Sequence, residues 1–247
     1  MSQARVVTVV AVALGLAGPA LALGASPHEW TLEVVGQHLD RAGDGNVEKV
    51  GLTEEFQDLG GVRLGYLYRS AVGGRRAGGF FALTAEGLES TRDGNQSRTG
   101  TLRLGTSWAD QAGTWAPHLV GHYSRVDQGE KWEMTEFQAG IGIERTRWIG
   151  DWVRLRVQSE VTGRVSGDRE GPEKNMNPGD ALSAGMTVGL DFYHALERAL
   201  TIRLHYRETM DRAGEQVRVP DGSGGEVMLQ DPAQQTRMLG ASIGYLF

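Results

Sequence analysis

VRLRVQSEV, residues 153–161, sets Val153, Leu155, Val157 and Val161 at alternate positions, with Arg154, Arg156, Gln158 and Glu160 between them. A period of two belongs to a strand whose two faces meet different surroundings. Wound as a helix, the same residues would scatter Arg154, Arg156 and Glu160 around the whole girth and leave no apolar stripe to bury. The stretch therefore reads as a strand with one greasy and one charged face.

The pattern recurs along the chain. Alternation followed by a turn is found at 29–37, 61–70, 79–89, 100–108, 115–126, 132–145, 152–163, 181–192 and 199–208. The last stretch, MLGASIGYLF at 238–247, places Leu239, Ala241, Ile243, Tyr245 and Phe247 on one face and Gly240, Ser242, Gly244 and Leu246 on the other. Ten such strands form an even set, as bacterial membrane barrels have. Eight or twelve are the nearest alternatives, because a faint alternation at 46–52 could extend a hairpin.

Connection lengths alternate too. Those at 38–60, 90–99, 164–180 and 209–235 are long and polar, while 71–78, 109–114, 146–151 and 193–198 are short; only the tight turn at 127–131 breaks the order. Long loops on one rim and short turns on the other mark a membrane-spanning barrel, with the short turns periplasmic. The aromatics follow the same division. Trp30, Trp115 and Trp152 begin strands at the short-turn rim, Trp108, Phe192 and Tyr245–Phe247 end there, and Trp148 lies in a turn there. Trp132, Tyr123 and Tyr206 mark the other rim. Such rings are amphipathic anchors at a membrane interface. The fold expected is all-β: a transmembrane antiparallel up-and-down barrel. The alternative is a soluble periplasmic β-barrel.

Residues 1–25 have the design of a secretory signal: Arg5, an apolar run from Val6, then small residues at Ala20-Leu-Ala22 and Ala25. Cleavage after Ala22 or Ala25 is expected, with residues 26–247 forming one barrel domain. Cysteine is absent, so no disulfide framework operates. The formal net charge of −6 argues against a nucleic-acid partner. Lys49, Lys131 and Lys174 are the lysines, so nearly every cation is an arginine.

With its export segment, alternating strands and unequal loops, the chain resembles the bacterial outer-membrane β-barrel proteins of Gram-negative cells. The resemblance implies residence in that membrane and contact with its lipid. It also implies that the barrel-assembly machinery reads Ile243, Tyr245 and Phe247 on the last strand. It specifies no activity, because barrels of this kind serve as pores, enzymes, adhesins and structural elements.

The polar face supplies the candidate site. Arg63, Arg103, Glu136, Arg154, Arg156, Glu160, Asp191, Arg203 and Arg207 point inward by alternation, as do Glu29, Glu33, Arg69, Glu86 and Glu144. At ten strands opposite charges should pair and fill the lumen, since wide aqueous channels need about 16–18 strands. A sharper reading uses His122 and Ser124, which share a face, with Glu136 opposite His122 or one inward position away. They would supply base, nucleophile and orienter. His122-Tyr123-Ser124 resembles the His-x-Ser core of the outer-membrane lipid A deacylases, which implies a lipid hydrolase. Arg125 stands where that family usually has Asn, and the alternation turns both residues away from lipid. The ten-stranded outer-membrane proteases need Asp pairs, which Asp127 and Asp211 do not reproduce.

His118 and His122 share a face, but their backbones lie about 13 Å apart at ~3.3 Å per residue, too far for one ion. No cofactor and no metal are expected. The loops at 164–180 and 209–235 could meet an external partner that the sequence does not identify. The expected function is a non-enzymatic barrel, structural or a narrow, porin-like transport or binding element.

Overall fold

The computed structural model describes residues 28–43, 57–70, 78–90, 94–110, 113–127, 133–150, 152–170, 175–176, 179–195, 198–213, 216–220, 226–230 and 233–247. The export segment 1–25, the alternation at 46–52 and Trp132 lie outside these residues. The strands are β1 (His28–Gly43), β2 (Gln57–Arg69), β3 (Gly78–Ser90), β4 (Gln96–Asp110), β5 (Gly113–Asp127), β6 (Glu133–Ile149), β7 (Val153–Glu170), β8 (Asn175–Met176), β9 (Ala181–Ala195), β10 (Arg198–Asp211), β11 (Gln216–Pro220), β12 (Glu226–Gln230) and β13 (Gln234–Leu246).

Antiparallel pairing runs from β1 through β2, β3, β4, β5, β6, β7, β9 and β10 to β13, which returns to β1. The sheet closes on itself as a ten-stranded up-and-down barrel without free edges. Its seam is sealed where Trp30 and Phe247 exchange backbone hydrogen bonds, Trp30 N–H to Phe247 O at 2.8 Å and Phe247 N–H to Trp30 O at 2.9 Å.

All ten segments marked by alternation are barrel strands, but several run further than the alternation does. β7 has 18 residues, where a tilted span needs only about 9–11. The excess, Arg164 to Glu170, lies at the long-loop end and, apart from Val165 and Gly167, is polar. The period-two signal lapses there although the backbone pairing continues to Glu170. The hairpin of β11 and β12 lies within 209–235, a stretch that reads as a loop in the sequence. Trp148 belongs to the end of β6 rather than to a turn.

The outer wall is apolar. Leu104, Leu119, Ile141, Ile143, Leu204, Leu239 and Ile243 are all exposed. Trp30, Trp108, Trp148 and Trp152 are exposed at the short-turn rim, and Arg145 lies over the Trp115 ring at 4.2 Å. The inside is polar, with two small apolar patches: Leu67, Phe80, Ala82 and Ala116, and Val35, Leu59 and Leu88.

Inward glycines create the volume that the long polar side chains fill. Gly142 is in register with Glu160, Gly189 with Arg203, Gly244 with Glu33 and Gly185 with Arg207. A Cβ on Gly142 would sit 2.8 Å from Glu160 Cγ, and one on Gly189 would sit 2.9 Å from Arg203 Cγ. Each charged chain lies across the bare backbone of its neighbour, which is how so narrow a barrel accommodates so many arginines.

Candidate functional site: the charged lumen

The inward charges form a stack of ion-paired layers that join distant parts of the wall. Nearest the short turns, Arg154 grips Glu29 with Nη1 at 2.8 Å and Nη2 at 3.1 Å, and Asp191 Oδ2 with Nε at 2.9 Å. Arg156 reaches Glu29 at 3.0 Å and Glu144 at 3.6 Å, and Arg69 closes the layer on Glu144. Three carboxylates thus face three guanidiniums, and the bonds cross from β1 and β2 to β6, β7 and β9. All six side chains are largely or wholly shielded from water. Removing one member of such a group strands a buried charge at about 3–5 kcal/mol.

The next layer joins Glu33 and Glu86 to Arg63 and Arg203. Arg63 approaches Glu86 at 2.5 Å, Glu33 at 3.3 Å and His205 Nε2 at 2.8 Å; Arg203 pairs with Glu33, and Ser242 donates to Glu33 at 2.9 Å. Beside it Glu160 of β7 gathers Arg103 at 2.5 Å, Gln158 at 2.6 Å, and the Nε2 atoms of His118 and His122 at 3.2 Å each. Spacing along β5 keeps the two histidine backbones apart, but both side chains lean to this one carboxylate. Sequence spacing could not reveal that, because Glu160 comes from another strand. Among the described residues no group of three or more His, Cys, Asp or Glu could hold a metal ion.

Toward the long loops, Arg164 holds Glu136 through Nε at 2.9 Å and Nη2 at 2.8 Å, and Asp211 at 2.6 Å. The candidate triad meets here and does not form a relay. Glu136 lies opposite Ser124 and one inward position from His122, which faces Gln138. Ser124 donates directly to Glu136 over 3.4 Å, whereas His122 bonds Thr101 Oγ1 at 2.8 Å, Glu160 and Arg207. Among the described residues no hydrogen bond joins Ser124 to His122, so the hydroxyl has no histidine partner. All three side chains face the lumen.

Cavities remain between the layers. A smaller one of ≈ 70 Å³ lies above the Glu29–Arg154 layer. A larger one of ≈ 260 Å³ occupies the long-loop half, with Arg103, Gln158 and Arg203 in the walls of both. The larger cavity, hereafter the cup, is lined by Arg207, His122, Ser124, Gln138, Thr101 and Thr187 among others. Nothing in the sequence pattern distinguishes a cavity from a filled layer, because both are made by inward polar residues.

A closed antiparallel ring that exposes aliphatic side chains outside, carries aromatic rings at its rim and buries its charges inside reverses the arrangement of a water-soluble protein. It is a transmembrane β-barrel of the bacterial outer-membrane class. No family model and no curated protein matches the sequence. Among solved structures the chain is similar to the outer membrane protease OmpT from Escherichia coli, at TM-score 0.48 and 7% identity over 92% of this chain and 98% of that one. It is also similar to an outer membrane channel from Pseudomonas putida F1, at TM-score 0.41 and 11% identity over 94% of this chain and 100% of that one. Neisserial surface protein A matches at TM-score 0.38 and 9% identity, over 91% and 98%. At these scores none of them carries an argument about this chain, and its class rests on its own strand ring and outer wall.

Proposed function

We propose that this chain is a non-enzymatic outer-membrane barrel with a closed lumen, a structural or ligand-binding element rather than a pore. The carrying observation is the layer of Glu29, Arg69, Glu144, Arg154, Arg156 and Asp191, whose bonds cross the lumen between distant strands. Ten strands enclose too little width for a water column beside such a layer. The lipid-hydrolase reading loses support because Ser124 faces the lumen and donates to Glu136 rather than to His122. In this reading residues 1–25 are removed on export, and the lipid-facing Ile243, Tyr245 and Phe247 at the seam are read by the assembly machinery.

The test is planar-bilayer recording with purified, refolded protein. The expected result is no stable large conductance. A long-lived open level of large amplitude would overturn the closed-lumen reading.

A further inference from the structure

The carboxylates around the cup have guanidinium partners of their own. Glu86 is held by Arg63, Glu33 by Arg203, Glu136 by Arg164 and Glu160 by Arg103. Arg164 also holds Asp211, and Arg207 has the longest ion pair of these arginines. Its ion-pair contact is Glu160 Oε2 at 3.8 Å, and that carboxylate already accepts from Arg103 and Gln158 and meets both His118 and His122. Arg207 Nη2 also lies 2.8 Å from His122 Nε2. Its side chain is 26% exposed, more than those of Arg63, Arg103, Arg164 or Arg203. Its register partner Gly185 presents no side chain against it.

We propose that the cup binds a small hydroxylated carboxylate through Arg207. A guanidinium offers a planar fork of donors that matches a carboxylate with two parallel hydrogen bonds. A single negative charge suits a guanidinium whose present ion pair spans 3.8 Å, whereas a phosphate monoester would carry a second charge into the neighbourhood of Glu160 and Glu136. Ser124, Thr101, Thr187 and Gln138 also line the cup and suit the hydroxyls of such a ligand. A cavity of ≈ 260 Å³ accepts on the order of ten non-hydrogen atoms, scaling from benzene in about 150 Å³. The ligand enters from the long-loop end, because the Glu29–Arg154 layer closes the other. That route rests on the closed-lumen reading; the site itself does not.

The experiment is calorimetric titration of the detergent-solubilised barrel with lactate and gluconate, and with glucose as a neutral match for gluconate. At least one carboxylate should bind, at least about tenfold more tightly than glucose, the worth of a charge-assisted hydrogen bond. Arg207→Gln should weaken that binding at least about tenfold, while Arg237→Gln on the outer wall should leave it unchanged. No heat with either carboxylate, or equal binding of glucose and gluconate, overturns the proposal in the wild type alone, whether or not a variant folds. Unchanged binding by folded Arg207→Gln also overturns it. Binding together with a large conductance would sink the closed lumen and keep the site; a closed lumen without binding would do the reverse.

Discussion

Replacing Ile141 by arginine should test the outer wall where its exposure to lipid is deepest. Ile141 is 66% exposed on β6, flanked in register by Leu119 of β5 and Val161 of β7. Along β6 it lies midway between Arg145, stacked on Trp115 at one rim, and Phe137, paired with Tyr123 toward the other. Four residues at ~3.4 Å, on a strand tilted by roughly 40°, give about 10 Å of height in each direction. That places Ile141 near the middle of an apolar band about 25 Å tall. Arginine at the midplane of such a band costs about 2–4 kcal/mol, falling to about 0–1 near the interfaces. Leu155 provides the comparison: it also faces outward, but it is in register with Arg147, close to the short-turn rim. Three kcal/mol is roughly a hundredfold in the folding equilibrium. Urea titrations of both variants, folded into vesicles of one lipid composition, should show a large loss for Ile141→Arg and little for Leu155→Arg. Equal losses, or a loss below about 1 kcal/mol for Ile141→Arg, would refute the placement of the bilayer.

Ser124→Ala removes a long hydrogen bond to Glu136. It should shift stability by no more than about 1 kcal/mol and leave lipid A acylation unchanged. Mass spectrometry of lipid A from cells with wild type, variant or neither checks this, and acyl loss with the wild type alone would restore the hydrolase. Deleting Phe247 removes both backbone hydrogen bonds to Trp30 at the seam. It should slow assembly in cells, read as a smaller heat-modifiable folded band on cold gels. Normal assembly would show that the seam closes without it.

The sequence by itself determined the architecture, because the bilayer imposes its rule on each strand separately. Lipid outside and polar filling inside act residue by residue, so Val153 to Val161 display the fold in nine residues. The glycine-rich face of the last strand was equally plain, though its use was not: Gly244 makes room for Glu33 of β1, a partner more than two hundred positions away in the chain. Strand ends were obscure where the polar–apolar alternation lapses, as in Arg164–Glu170. Only the tertiary structure decided which charges meet. His118 and His122 reach Glu160, Ser124 turns to Glu136 rather than to His122, and Arg207 shares Glu160 with Arg103. The physical reason is that alternation fixes a face, whereas pairing across a lumen depends on stagger and closure around the whole ring, and no local stretch of sequence encodes these.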